Sequence, residues 1–257
     1  MSAGHEAREQ HAHEQDPQRP GAAHPPARPR GGGLLAAARE TVLVVAVALV
    51  VSLVVKTFLL QAFYIPSQSM ERTLDIGDRV VVSKLTPGPF SLHRGDVVVF
   101  ADPGGWLEPQ PEPQRSALGA VAAEVLTFVG LLPEDSDEHL IKRVVGLPGD
   151  RVVCCDEDGR LTVNGTPVDE RAYLFPGSDP SLDEFDVEVP ADRLWVMGDN
   201  RAESADSRYN RGKRYDGFVP LDHVVGRAHA VVWPLPHAAW LGTPDAFAAV
   251  PGRSGVG

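Results

Sequence analysis

Cysteine and lysine are both scarce in this 257-residue chain. The only two cysteines, Cys154 and Cys155, are neighbours in VVCC. On a strand their side chains point to opposite faces, which makes a bond between them strained, and no disulfide framework or metal-ligand spacing is present. They read as ordinary strand residues and leave the redox compartment open. Lysine supplies four of the 24 basic residues, Lys56, Lys84, Lys142 and Lys213, so each merits separate inspection. A basic surplus is missing too. The net charge is -11, and the excess of acid lies downstream: residues 1–56 carry six basic and five acidic side chains, the remainder eighteen and thirty. Such a body argues against nucleic acid as its main partner. A G-x-S-x-G elbow is absent, and four of the nine histidines fall within the first 24 residues. His93, His139, His223, His229 and His237 sit in no motif, so a Ser-His-Asp hydrolase has no signature here.

Composition is otherwise ordinary for a folded protein, at 43% hydrophobic and 23% charged. Residues 1–33 are rich in Pro, Gly, His and charge and nearly free of large apolar side chains, which predicts a disordered tail. His5, His11 and His13 have no scaffold on which to hold a metal. Residues 41–55, TVLVVAVALVVSLVV, carry no charge, and a span of about 20 residues to Leu60 suffices for a membrane helix if Lys56 reaches the interface. The run starts too far from the N-terminus, and lacks the small-residue exit, for a cleaved leader. Arg28, Arg30 and Arg39 precede it, so the tail is expected in the cytoplasm and the acidic body outside.

That body repeats one signature, Gly-Asp followed by β-branched residues: GDRVVV at 77–82, GDVVVF at 95–100 and GDRVVC at 149–154. Each reads as a turn feeding a strand. Asp158-Gly159 and Asn164-Gly165 add two hairpin turns, giving a meander of short strands. Between 101 and 138 the pattern is interrupted by a Pro- and Gly-rich stretch and by ALGAVAAEVLTFVGLL, whose apolar spacing predicts an inserted amphipathic helix over 117–132. It packs on the β body or rests on the membrane surface. Near the C-terminus, LPHAAWLGTPDAFAAVPG is too broken by Pro and polar residues to span a membrane, and 241–257 reads as a flexible tail.

Two places could carry chemistry. In FYIPSQSMERTL, Ser67 and Ser69 stand one residue apart. On an extended chain both hydroxyls face one side, as a nucleophile and its helper or as plain surface serines. A lysine can serve as general base when its ammonium is desolvated, a role closed to Arg. Lys142, in HLIKRVVGLPGD among Leu140, Ile141, Val144 and Val145, has the right apolar setting, whereas Lys56 belongs to the membrane boundary, Lys84 ends a strand in VVVSKL and Lys213 lies in the polar run NRGKRY; a surface lysine on a strand is the alternative.

PSQSM (66–70), RGDVVVF (94–100), IKRVVGLPGD (141–150) and GDNRAESADSR (198–208) occur in the order and spacing of the bacterial type I signal peptidases, which this chain resembles, actinobacterial members in particular. The resemblance implies a mainly β catalytic domain over 63–240, behind a single transmembrane anchor and juxtamembrane segment at 34–62. It further implies a Ser/Lys dyad of nucleophile Ser69 and base Lys142, with Ser67 beside the Ser69 N–H as the oxyanion hole. Ser204 matches the serine that hydrogen-bonds the family's lysine, Asp206 and Arg208 match a nearby ion pair, and Arg143 is supportive. Ile65, Met70, Leu74, Leu140 and Ile141 match the pocket that admits small P1 and P3 side chains. The implied partners are secretory preproteins and membrane lipid, with no cofactor or metal. Gln68 and Arg72 depart from the Gly and Pro of many members, which puts the local turn geometry in question. The expected activity is removal of signal peptides at the outer face of the plasma membrane. Two rivals share features: a self-cleaving Ser/Lys repressor-type peptidase, which would carry a DNA-binding domain where this chain has an apolar segment, and a catalytically silent membrane-anchored binding domain.

Overall fold

The computed structural model describes residues 33–107 and 139–252. The expected tail with its histidines, the helix over 117–132 and the side chain of Lys56 lie outside what is described. The described residues fall into two units, divided between Val45 and Ala46. Helix α1 (Gly33–Phe58) begins in the first. Its stretch Ala36–Val55 has a mean hydropathy of 2.3 and is, among the described residues, the one helix long and apolar enough to cross a membrane. It has no polar face to present to water, as the uncharged run of 41–55 requires.

The second unit is mainly β. Its strands are β1 (Leu60–Tyr64), β2 (Arg79–Ser83), β3 (Val97–Ala101), β4 (His139–Gly146), β5 (Arg151–Cys154), β6 (Thr162–Val163), β7 (Thr166–Pro167), β8 (Phe185–Glu188), β9 (Arg193–Met197), β10 (Val219–Pro220), β11 (Val224–Trp233) and β12 (Ala239–Trp240). An eight-stranded antiparallel sheet runs β1-β2-β11-β3-β4-β9-β10, with β12 added to β11, and a four-stranded sheet runs β7-β6-β5-β8.

The three Gly-Asp signatures form one device. Gly77, Gly95 and Gly149 take φ of +97, +90 and +79, a region open to glycine at no steric cost. The following Asp folds its carboxylate back onto the backbone N–H three residues earlier: Asp78 on Asp75 at 2.9 Å, Asp96 on His93 at 2.8 Å and Asp150 on Leu147 at 2.8 Å. Each turn then launches β2, β3 or β5. Asn164 and Gly165, at φ of 53 and +77, close the β6–β7 hairpin as the sequence predicts.

Unbroken apolar runs mark strands covered on both sides. In β3, Val97 and Val99 join a core with Phe63, Ile65 and Met70, while Val98 and Phe100 join another with Leu92, Trp106 and Leu194. The peripheral β8, FDVE, instead alternates buried and exposed. A third core, around Trp195, fills the space beside the smaller sheet.

Two expectations fail here. Cys154 and Cys155 are joined in a disulfide across a cis peptide, with Cα atoms 2.9 Å apart, so they are not independent strand residues pointing to opposite faces. Residues 241–252 are no loose tail either: Phe247 and Val250 are buried in the Trp195 core, and Thr243 donates to Asp96 at 2.9 Å.

Candidate active site

Ser69 sits in a loop tied at its neck. Ile65 N–H donates to Asp78 O and Gly77 N–H to Ile65 O, both at 2.9 Å, and residues 66–76 bulge between them. Within the bulge Gln68–Met70 form a 3-10 turn, and Leu74 N–H donates to Met70 O at 2.8 Å. The buried side chains of Met70 and Leu74 pin the turn to the core. PSQSM is therefore not extended throughout, as the sequence reading assumed. Ser67 is extended, and the turn after it still leaves the two hydroxyl oxygens 3.3 Å apart. Ser67 and Gln68 are exposed, whereas Ser69 is buried. Arg72 adopts φ 82, which a proline ring forbids, and its guanidinium donates to Leu174 O at 2.7 Å. The turn in this chain thus differs locally from one built around a proline.

β4 brings Lys142 to the same point, 73 residues further along. Its Nζ lies 2.7 Å from Ser69 Oγ and donates to Ile141 O at 3.0 Å. Lys142 is 4% exposed. Burial lowers its pKa from the ordinary 10.5 to about 8, against the opposing pull of Asp206 and Asp199. Those carboxylates are themselves neutralised. Arg208 grips Asp206 with two bonds of 2.9 and 2.8 Å, and Asp206 also accepts from Gly198 N–H at 3.0 Å.

Arg143 points to a partner that the sequence did not suggest, Asp199. The two share bonds of 2.7 and 2.5 Å, and Thr73 Oγ1 donates to the same carboxylate at 2.5 Å. The cluster ties β4, the 198–200 loop and the loop of Ser69 together, and Asn200 N–H donates to Ser69 O at 3.1 Å. Gly198 permits this approach: a Cβ there would lie 2.3 Å from Ser204 Oγ and 2.4 Å from Ser69 O. Ser204 is buried at this contact, but its Oγ makes no hydrogen bond, so the expected bond to Lys142 is not formed. A second buried pair, Arg201 with Glu170, holds the outer side of the loop, with Arg201 also donating to Gly198 O at 2.9 Å. Asp199, Gly198, Glu170 and Arg201 were all missed by sequence reasoning. The usable signal for Asp199 was a buried arginine beside the lysine, which demands a counter-ion.

A cleft near Ser69 and Lys142 runs between Phe63, Ile65 and Pro66 on one side and His139, Leu140 and Ile141 on the other. Of the five expected pocket residues, Ile65, Leu140 and Ile141 line it, whereas Met70 and Leu74 are packed beneath in the core. The sheet leaves room there. Among the described residues β1 has β2 as its one strand neighbour, and the pairing of β4 with β9 begins at Arg143, so that residues 139–142 pair with β3. A segment entering between β1 and the start of β4 could add backbone bonds to both. Among the described residues no cluster of metal-ligating side chains occurs.

Comparison with known proteins gives a consistent result. Residues 38–233 match the family described as signal peptidase, peptidase S26. Signal peptidase I of Mycobacterium tuberculosis is 40% identical over 217 residues, covering 76% of this chain and 72% of the relative. Probable signal peptidase I of Mycobacterium leprae is 38% identical over 222 residues, covering 76% of each. Signal peptidase I of Leptolyngbya laminosa is 31% identical over 208 residues, covering 81% of this chain and 86% of the relative.

Proposed function

Since the chain belongs to the signal peptidase family, peptidase S26, and is a signal peptidase I that cleaves signal peptides from preproteins, we propose that it does so with Ser69 as nucleophile and Lys142 as general base. The observation that carries this reading is the 2.7 Å separation of Nζ and Oγ with the lysine buried. With a pKa of about 8, roughly one Lys142 in ten is neutral at pH 7, against about one in three thousand at the ordinary value of 10.5. The neutral Nζ takes the Ser69 proton as Oγ attacks the scissile carbonyl. Ser69 N–H and the Ser67 hydroxyl donate to the developing oxyanion. As the C–N bond breaks, the lysine returns the proton to the leaving amine, and a water activated by the same base then releases the acyl group.

The signal peptide is taken up as a strand between residues 63–67 and 140–142, with shallow pockets for small P1 and P3 side chains. The catalytic body, spanning 63–240, lies outside the plasma membrane, held by the anchor of 34–62 with the arginine-flanked tail in the cytoplasm. Ser69 follows Lys56 by thirteen residues, which keeps the site near the bilayer. Support for contact with lipid comes from exposed Tyr64, Trp233, Leu235 and Trp240 around the β1, β2, β11 and β12 end of the sheet. The test is processing of a preprotein by the full chain in lipid vesicles. Release of the mature chain after a small residue, lost in Ser69→Ala, is expected; undiminished processing by Ser69→Ala refutes the assignment.

A further inference from the structure

The C-terminal stretch that the sequence presents as loose crosses the molecule directly behind the site. Thr243 donates to Asp96 at 2.9 Å and accepts from Arg227 at 3.2 Å, and Arg227 Nε lies 3.0 Å from the same Asp96 carboxylate. Arg94 donates to Pro251 O at 3.4 Å. Between these ends Pro244 and Phe247 lie on Gly95, where an added Cβ would come within 2.8 Å of Pro244 and 3.0 Å of Phe247. The Phe247 ring also stacks on Tyr173, centroids 6.3 Å apart and planes 13° from parallel.

Both neighbours of Phe247 bear on one side chain. The Tyr173 ring covers the Arg143 guanidinium at 4.3 Å, and Gly95 O accepts from Arg143 Nη1 at 2.7 Å. Arg143 in turn fixes Asp199, whose neighbours Gly198 and Asn200 press on and bond to Ser69 O. We propose that the strap of residues 242–251 is a positioning element of the active site, in which Phe247 acts through Tyr173 and Arg143 to hold the 198–200 loop against Ser69. The inference rests on the Ser69–Lys142 reading above and extends it.

The physical reason lies in the dielectric. An arginine over a ring face, bonded to one carboxylate, keeps its geometry while water stays out. Phe247, 6% exposed, and Tyr173, 4% exposed, form that barrier. Truncating Phe247 admits water to Arg143, loosens its grip on Asp199 and leaves that carboxylate less neutralised. The charged groups around Lys142 are Asp199 with Arg143 and Asp206 with Arg208; beyond Arg143 stand Tyr173, Glu170 and Arg201, and beyond Gly95 stand Asp96 and Arg227. A freer Asp199 and a wetter site both favour the lysine ammonium, so the rate should reach its plateau at higher pH. The substrate cleft of 63–66 and 139–141 is untouched.

The test compares the full chain in detergent micelles with Phe247→Ala, Phe247→Leu and Val163→Ala, measuring kcat and KM on a signal-peptide substrate from about pH 6 to 10. Val163 belongs to the same core as Phe247 but lies in the β6 hairpin. Phe247→Ala should lose about tenfold in kcat at neutral pH, with KM within about twofold and the midpoint displaced upward. Phe247→Leu, which keeps the barrier dry, should recover most of both. Val163→Ala should lower the melting temperature and leave the midpoint in place. Should Phe247→Ala be too unstable to assay, Phe247→Val is read the same way. A wild-type midpoint in the folded Phe247 variant, or an identical response in Val163→Ala, overturns the strap. A wild-type profile with no rise through neutral to alkaline pH overturns the dyad itself, and the strap with it.

Discussion

Replacing Lys142 by Met should abolish cleavage and yet make the protein more stable at neutral pH. The folded chain holds this lysine at a pKa of about 8, against 10.5 when exposed. Between those values the unfolded chain binds more protons than the native one, so stability rises with pH across the window. Below about pH 8 the native state carries the full penalty, and above about 10.5 the penalty is gone. At about 1.4 kcal/mol per unit, the penalty at pH 7 is about 3 kcal/mol. Met fills the same space without charge, but forfeits the Nζ bonds to Ser69 Oγ and Ile141 O, about 1 kcal/mol each. The net gain is therefore about 1 to 2 kcal/mol at pH 7, shrinking and then reversing toward pH 10. Guanidinium denaturation in micelles, followed through the buried Trp106 and Trp195, measures it. Taking the difference between variant and wild type at each pH cancels other titrations, including that of Tyr173, whose burial raises its pKa. A Met variant less stable at pH 7, or with an advantage that ignores pH, refutes the reasoning.

Other outcomes follow from the same geometry. Ser67→Ala should retain a measurable rate, lower by about 10²- to 10³-fold as expected for one lost oxyanion donor, when assayed beside Ser69→Ala; equal and complete loss shows the roles misassigned. Replacing Ala by Leu at P1 of the substrate should stop cleavage, because Ile65 and Ile141 wall a narrow cleft over the packed Met70; peptide cleavage assays decide it. Gly198→Ala should fold yet lose about 10²-fold in kcat, since the new methyl collides with Ser69 O. Asp199→Asn should cost about 3 to 5 kcal/mol by stranding the buried Arg143, whereas Asp186→Asn, at the exposed and solvent-screened pair with Arg151, should leave the denaturation midpoint nearly unchanged; chemical denaturation compares them.

The strands were legible because their turns use local chemistry: a glycine at positive φ, then an aspartate bonding three residues back. The apolar helix was legible because its uncharged run over 41–55 is contiguous in the chain. The meeting of Lys142 with Ser69 could be anticipated because an apolar neighbourhood singled out the lysine, and the resemblance carried by the four motifs implied which serine it would approach. Arg143–Asp199 and Arg201–Glu170 were not readable, since their partners lie 56 and 31 residues apart and nothing local announces a buried pair. The strap was misjudged because Pro, Gly and Ala dominate it, and its order depends on two side chains, Phe247 and Val250, entering a core built by distant segments. The 3-10 turn at Gln68–Met70 was likewise hidden, being set by the tie between Ile65 and the 77–78 turn rather than by PSQSM itself.

The proposed dyad is tested most directly by kcat/KM against pH for the wild type and Lys142→Met on one signal-peptide substrate. The wild-type value should climb tenfold per unit below a single midpoint near 8, the pKa of the buried lysine, and Lys142→Met should stay at background throughout. A wild-type midpoint near 6.5, the ordinary range of histidine, or cleavage retained by Lys142→Met, contradicts it.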